Sequence, residues 1–362
     1  ARHRYWMDAS LAGKDTEAFP HPLAQRNLSG LDGPRYRSLL GREAFYWADH
    51  HVAGQQILPG VACLEAARAA LEQARGGAPL TGGLIFEQVS WTRPVRAETA
   101  PVAVETRLQP QAAGGFGFTI STAEGAANAQ GVLRIAPLDT PPVLDIAALA
   151  TTLPETIDPA ECYRRLVASG VVHGPAFQAL RTVRRGPDGV LAELRLGRLL
   201  HGTLAQLPLH PVLLDAAIQA WIALDNDTPA GSAVPFACGR IEMHGPCTPV
   251  MHVHVRRVAG SVRSDAVVRL DIDLTDKDGK PCLAFRDLAL RLVLVLEDPP
   301  PGWTGETGRV DAALLARHLP AESRDWPHML CGPAPMIRAL TTALCDLGIP
   351  RRRIDSEIFD LA

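Results

Sequence analysis

Twice along 362 residues a proline-introduced apolar helix is followed by a run of strand-like segments, and this repetition constrains the fold more than any other feature of the text. In the first half, Pro59-Gly60 opens the helix. Proline suits a first helical turn, where its missing N–H would have no partner anyway. Val61, Leu64, Ala67 and Leu71 recur at helical spacing, so one apolar face is predicted to be buried, and Gly76-Gly77 marks the end. Gly83–Trp91, Ala103–Gln109, Gly115–Thr122 and Gly131–Ala136 then read as strands separated by turn residues. In the second half a short helix, Pro159–Val167, leads to strands at 177–184 and 190–196. Pro208-Leu209-His210-Pro211 introduces a second long helix at Val212–Leu224. Strands at Pro235–Met243, Val250–Val258, Ala266–Leu274 and Pro281–Val293 follow, the last two joined across the hairpin signal Asp278-Gly279. A long helix followed by strands predicts an antiparallel sheet curled round that helix. Two such stretches of similar length predict an α+β chain built from two copies of one fold side by side.

Ala44–Trp47 reads as a short strand, and the text from 1 to 20, with its Tyr5-Trp6 pair, as a loop-like lead-in. Four prolines between 137 and 158 and little periodicity predict a linker there. After EDPPPGW at 297–303 the pattern changes to α/β: helices at Asp311–Leu319 and Pro335–Leu347, strands at His328–Cys331 and Ile354–Phe359. The expected division is a lead-in at 1–20, a first unit at 21–140, a linker at 141–158, a second unit at 159–296 and a tail at 297–362.

A net charge of −3 leaves no basic footprint for nucleic acid. The seven cysteines form no CxxC pair, which favours reduced thiols used as small core residues in a cytoplasmic setting. No apolar run reaches the roughly 18 residues that span a bilayer, so no membrane partner is expected. The start ARHRYWMDAS carries neither a signal-peptide core nor an initiator Met, and a piece of a longer chain is expected.

Chemistry enters at two places. Asp49, His50 and His51 stand just ahead of the first helix, with Gly54 freeing the backbone between them and Pro59-Gly60. The N–H groups and positive dipole end of that helix suit an oxygen developing negative charge. Read alone, the same text also serves as an ordinary helix start with two surface histidines. In the second helix Asp215 interrupts an apolar turn marked by Val212, Leu213, Ala216, Ala217 and Ala220, and Gln219 shares its face one turn on. Burial is expected to raise a lone carboxyl's pKa, so that it could hold a proton. The alternative is a partly exposed Asp hydrogen-bonded to Gln219. Together, a base-capable His and an acid-capable Asp are what the loss of water from a β-hydroxyacyl thioester needs, one to take the α-proton and one to protonate the hydroxyl.

Five segments carry a resemblance to the dehydratase domains of type I polyketide synthases. His50-x-x-x-Gly54-x-x-x-x-Pro59 is similar to their HxxxGxxxxP signature, and Asp215-x-x-x-Gln219, after His210-Pro211, to their DxxxQ/H motif. His173-Gly174-Pro175-Ala176-Phe177 resembles GYGPxF with His173 in place of tyrosine, and Val234-Pro235-Phe236 resembles LPFxW with Cys238 in place of tryptophan. His21-Pro22-Leu23 resembles the usual start of the domain, and His3-Arg4-Tyr5-Trp6 the linker after an acyltransferase. The resemblance implies a double hotdog: two helix-wrapped antiparallel sheets. It implies His50 as base and Asp215 as acid, Gln219 orienting Asp215, and the Gly60 N–H on the thioester oxygen. Gly54, Pro59, His173, Phe177 and Phe236 would line the substrate path. The two departures bear on the shape of the acyl tunnel. The implied substrate rides on the phosphopantetheine of an acyl carrier protein. The partners would be that carrier, neighbouring synthase domains and a second copy in a homodimer. Relatives of this kind also cyclise chains or move double bonds, and a noncatalytic scaffold is the reading from a different class.

His252 and His254 alternate on a strand without a third ligand nearby, so surface histidines and no metal are expected. In the tail, Gly308-Arg309, Cys331-Gly332-Pro333-Ala334-Pro335-Met336 and Glu357-Ile358-Phe359 resemble the end of the nicotinamide domain of ferredoxin–NADP reductases. The glycine-rich strand–helix turn that cradles a pyrophosphate does not precede them here. A remnant or packing module is expected, without NADPH or flavin, and the chain as a whole is expected to need no cofactor.

Overall fold

A computed structural model describes residues 21–78, 80, 82–97, 101–122, 127–139, 141–225, 234–260, 267–290, 295–296, 306–319, 323–324 and 328–358. The readings of 1–20, of 297–303 and of Phe359 lie outside these residues. The first half runs β1 (Arg26–Asn27), β2 (Arg35–Leu40), α1 (Phe45–Ala48), β3 (His50–Val52), β4 (Gln55–Gln56), α2 (Gly60–Ala74), β5 (Gly83–Trp91), β6 (Val102–Pro110), β7 (Phe116–Thr122) and β8 (Ala127–Ala136). Then come α3 (Ile146–Thr152), β9 (Glu155–Ile157), α4 (Pro159–Ala168), β10 (Val171–His173), β11 (Leu180–Gly186), β12 (Gly189–Arg195) and α5 (Pro211–Gln219). β13 (Pro235–Met243), β14 (Val250–Arg257), β15 (Val268–Asp276) and β16 (Pro281–Leu290) close the second half.

Each half is a helix laid in a curled antiparallel sheet, because each sheet has one apolar face to bury and the helix supplies the matching surface. α2 packs on β6, β7 and β8; α5 packs on β12, β14 and β15; and the two helices meet each other. With sheet on one side and α5 on the other, α2 is buried from Val61 to Leu71 on every face, so the single apolar stripe read from its spacing is too narrow. Each fully buried Val or Leu there contributes roughly 1.5–3 kcal/mol from water exclusion.

The two sheets are not separate. β5 pairs with β13 from Leu84↔Met243 to Ser90↔Ala237, fusing both halves into one thirteen-stranded sheet of order β1-β2-β6-β7-β8-β5-β13-β16-β15-β14-β12-β11-β9. A second, three-stranded sheet of order β10-β3-β4 crosses between the halves. In it His50 lies opposite His173 and Val52 opposite Val171.

Four sequence readings change. Ala44–Trp47 is not a strand: α1 covers Phe45–Ala48, because one helical turn sends the adjacent Tyr46 and Trp47 both into the core, which the alternating faces of a strand forbid. The segment read as a linker carries α3, capped by Asp145 accepting the Ala148 N–H at 2.9 Å, and β9, which pairs with β11. The strand expected from 177 begins at Leu180, after a 3₁₀ turn at Pro175–Phe177. The second long helix is α-helical only to Gln219 and continues as a 3₁₀ turn over Ala220–Ala223.

In the tail, β17 (Val295–Leu296) pairs in parallel with β18 (Glu306–Thr307). It is followed by α6 (Ala312–His318), β19 (His328–Gly332), α7 (Ala334–Asp346) and β20 (Ile354–Ile358), with β19 and β20 parallel. No helix among the described residues is long and apolar enough to cross a membrane.

Candidate active site

β3 and β4 form a hairpin whose two-residue turn, Ala53-Gly54, has positive φ at both positions (49° and 77°). This is the turn geometry that matches strand twist, and it favours glycine at the second position. Gly54 sits at the exposed tip of this turn. The hairpin turns the chain back so that Ile57 reaches His50: the Ile57 carbonyl lies 2.8 Å from His50 Nδ1. A carbonyl only accepts, so Nδ1 carries the hydrogen, and in the neutral ring Nε2 keeps its lone pair. Two residues on, Pro59 is buried at the cap of α2, and Gly60 begins the helix. The Gly60 N–H has no intrahelical acceptor, and its carbonyl accepts from the Trp91 indole at 2.8 Å.

From the other half, α5 delivers Asp215. His50 Nε2 is 3.8 Å from Asp215 Oδ1, so the two residues singled out in separate halves meet in one site. Gln219 Nε2 donates to Asp215 Oδ2 at 2.7 Å and also reaches the Phe177 carbonyl at 3.2 Å, tying α5 to the Pro175–Phe177 turn. Phe177 is fully buried, and its ring packs 5.6 Å from the His50 ring. Asp49 holds the same turn from the first half: its Oδ2 accepts the Ala176 N–H at 2.6 Å, and its carbonyl accepts the Gly174 N–H at 2.8 Å.

His173, expected along the substrate path, stands beside Asp215 and His50. Its Nε2 lies 3.3 Å from Asp215 Oδ2, and its ring centroid lies 5.4 Å from that of His50. Its Nδ1 is buried with no hydrogen-bond partner among the described residues. Donor atoms of His50, His173 and Asp215 all lie within 4.8 Å of one another. Phe236 is half-buried on β13, beside the bulge between Pro235 and Ala237. His51 points away from the dyad into an open pocket with Arg42, Gln56 and Arg96. His254 corrects the expectation of a surface residue: it is buried, with Nε2 3.0 Å from the Asp188 carbonyl and Nδ1 2.7 Å from Arg256.

Burial pushes the His50 pKa below its ordinary value, and the nearby Asp215 only partly opposes this, so the imidazole is held neutral. The Asp215 expectation reverses. Burial alone would raise its pKa, but His50, His173 and the Gln219 hydrogen bond outweigh burial and hold the carboxyl below its usual range. A sequence shows the apolar helix around an aspartate but not the imidazoles that the fold brings to it from other segments.

Sequence reasoning missed Glu65 and Arg68, buried within α2. Glu65 Oε1 faces His21 Nε2 at 2.9 Å and takes Arg68 Nη2 at 2.8 Å, while Oε2 accepts the Leu209 N–H at 2.8 Å. This carboxylate therefore binds the first helix to the segment that starts α5. The signal was present: a Glu–Arg pair at i,i+3 inside an apolar helix is open to the same argument that singled out Asp215. His210, next in that segment, is fully buried against Phe45 with Nε2 2.9 Å from Thr203 Oγ1, and burial lowers its pKa to about 4.

Comparison with known proteins agrees with this architecture. Residues 21–123 match the family described as polyketide synthase dehydratase domain, and residues 141–299 match polyketide synthase dehydratase N-terminal domain. A trans-AT polyketide synthase dehydratase domain from Brevibacillus brevis is 30% identical, with a TM-score of 0.69 over 76% of this chain and 100% of that one. The dehydratase domain of RzxB from Pseudomonas fluorescens is 28% identical, with a TM-score of 0.67 over 75% of this chain and 99% of that one. Polyketide synthase PksN of Bacillus subtilis (strain 168) is 34% identical over 321 residues, which is 84% of this chain and 6% of PksN. The fold is the double hotdog, and the chain belongs to the dehydratase domains of polyketide synthases.

Residues 282–342 match an oxidoreductase NAD-binding domain. That match begins within β16 of the hotdog sheet. The described tail includes the parallel strands β19 and β20 and the helix after Pro333. A dinucleotide's pyrophosphate is held at a glycine-rich strand–helix turn, and the strand–helix turn of the described tail is Gly332-Pro333, between β19 and α7.

Proposed function

We propose that this domain removes water from a β-hydroxyacyl thioester held on the phosphopantetheine of an acyl carrier protein, with His50 as base and Asp215 as acid. The observation that carries the reading is the 3.8 Å approach of His50 Nε2 to Asp215 Oδ1 across the two halves, which supports a base and an acid acting on adjacent carbons of one substrate. The Ile57 carbonyl keeps the His50 lone pair on Nε2, directed at the α-proton. Breaking the Cα–H bond leaves charge on the thioester oxygen, and the Gly60 N–H, at the positive end of α2, is the donor proposed to receive it. The Asp215 carboxyl, oriented by Gln219, protonates the hydroxyl, which leaves as water and gives the α,β-unsaturated thioester. Pro59 sets the position of Gly60, and Phe177 walls the His50 side of the site.

The same reading assigns residues 21–140 and 159–296 to the two hotdog units, with 141–158 as connection and 297–362 as a noncatalytic appendage. No cofactor takes part. Carrier protein, neighbouring synthase domains and a second copy are the proposed partners, in the cytoplasm. The unpaired, buried thiols of Cys63, Cys162, Cys238, Cys247 and Cys282 support a reducing location.

The test is turnover of a β-hydroxyacyl-pantetheine, followed by mass spectrometry for loss of water. Wild type gives the enoyl thioester, and His50→Phe lowers kcat by about 10²–10⁴-fold, the usual share of a general base. Unchanged turnover in His50→Phe defeats the assignment.

A further inference from the structure

Three side chains able to hold one cation meet at the dyad. Donor atoms of His50 on β3, His173 on β10 and Asp215 on α5 lie within 4.8 Å of one another. His173 Nε2 stands 3.3 Å from Asp215 Oδ2, and His50 Nε2 stands 3.8 Å from Asp215 Oδ1. Zinc bonds of about 2.0–2.2 Å in a tetrahedron set ligand atoms about 3.3–3.6 Å apart. The cluster therefore has to close by at most about 1.5 Å. Its donors are already oriented. The Ile57 carbonyl takes the His50 Nδ1 hydrogen and leaves the Nε2 lone pair free, and Gln219 donates to Asp215 and fixes its carboxylate. His173 is buried, and its Nδ1 has no hydrogen-bond partner among the described residues, which disfavours a second ring proton. A metal ligand needs only the neutral imidazole, its one hydrogen moving from Nε2 to Nδ1 on ligation. The rings of Tyr163 and Phe177 pack 6.3 and 6.5 Å from that of His173 and give this side an aromatic wall.

We propose that His50, His173 and Asp215 form a binding site for a zinc-type divalent cation, and that the bound ion switches the dehydratase off. The switching rests on the dyad reading; the site itself does not. Two imidazole nitrogens and one carboxylate oxygen suit Zn²⁺, whereas Mg²⁺ and Ca²⁺ take oxygen ligands. Three protein ligands with a fourth position left to water make an open zinc site. Occupation takes the His50 lone pair needed for the α-proton and ties up the Asp215 carboxyl needed for the hydroxyl, so elimination stops. His173 completes the set. A tyrosine in its place is a phenol of ordinary pKa near 10, which keeps its proton at neutral pH and binds metal weakly. The dyad alone then offers two ligands, below the three that hold an open zinc site. The three residues arrive from three separate segments, so no run of the sequence displays them together.

The experiment strips wild type, His173→Tyr and His50→Phe with EDTA, then titrates each with Zn²⁺ by calorimetry and with Co²⁺ by visible absorption. Wild type binds one Zn²⁺ per chain with a micromolar or tighter Kd, and Co²⁺ gives the visible bands of a tetrahedral site, which Zn²⁺ displaces. Turnover of a β-hydroxyacyl-pantetheine falls in step with occupancy and returns with EDTA. In His173→Tyr the Kd for Zn²⁺ rises by at least about 100-fold, more than the loss of a group that only orients a ligand. Whatever turnover that variant retains resists Zn²⁺ at concentrations that stop wild type. A millimolar wild-type Kd, equally tight binding in His173→Tyr, or saturating Zn²⁺ that leaves wild-type turnover intact overturns the proposal. Full turnover by stripped His50→Phe overturns the dyad reading instead, while loss of the cobalt bands in the same variant upholds the site. If His173→Tyr fails to fold, NMR of wild type with Co²⁺ decides: imidazole signals of His50 and His173 left sharp overturn the site.

Discussion

Glu65→Gln tests the joint that holds the active site together. Glu65 is fully buried and Arg68 is 5% exposed, so the substitution leaves a buried guanidinium with only Glu72 as carboxylate partner. It also takes the carboxylate from His21 and leaves at most one carbonyl oxygen to serve both Arg68 and the Leu209 N–H. Removing one member of a buried pair costs about 3–5 kcal/mol; Glu72 keeps part of the pairing, so the lower end, about 3 kcal/mol, applies here. In thermal melts this is a fall of about 6 °C or more. The pH dependence is a second signature. Burial would raise the Glu65 pKa, but His21 and Arg68 outweigh it and hold the carboxyl below its ordinary 4.5. A depressed carboxyl contributes stability above its unfolded value and loses it as pH falls through the folded one. The gap between wild type and variant in urea denaturation is therefore full at neutral pH and narrows below 4.5. Because Leu209 starts the segment into α5, kcat on a β-hydroxyacyl-pantetheine drops as well, by about tenfold, as Asp215 loses its fixed distance from His50. A stability loss under about 1 kcal/mol, or a gap indifferent to pH, refutes the claim that this carboxylate joins the halves.

Gly60→Ala places a Cβ 2.9 Å from Trp91 Nε1, so the indole must shift and its bond to the Gly60 carbonyl is lost; urea denaturation is expected to show about 1–3 kcal/mol of destabilisation, with kcat falling more than KM rises. Ala53→Asn puts a residue suited to positive φ at the first position of the β3–β4 turn and is expected to raise the unfolding free energy by up to about 1 kcal/mol without loss of turnover. Because burial holds the His50 pKa below its ordinary 6.5, the acid limb of kcat/KM lies below that value, and a limb at or above it contradicts a buried base.

Local signals carried much of this molecule. Proline at the start of α2 and of α5 and glycine at the β3–β4 turn are short-range consequences of backbone geometry, and each is visible in the text. The spacing from His50 to Gly54 and Pro59 likewise survives folding, because the hairpin and the start of α2 are built from it. What could not be read was set by distant partners. Phe45–Ala48 has the aromatic composition of a strand and becomes helical because both Tyr46 and Trp47 must reach the same core. The fusion of two sheets depends on β5 meeting β13, about 150 residues apart in sequence, and nothing in either strand names the other. Asp215 was read by its apolar neighbours on α5, whereas its ionisation is governed by His50 and His173 arriving from β3 and β10.

The β5–β13 ladder has a consequence for how this domain comes apart. It is as long as the ladders inside either half, and behind it lie the buried side chains of Phe86 and Ile241. Opening it exposes a full strand edge on both sides at once, so the molecule has no weak plane between its repeats. The two repeats are therefore one cooperative unit, with a single melting transition and amide protection extending across the seam. A destabilising change far out in either repeat lowers the population of the intact dyad by the same free energy, because the site exists only while both halves are folded.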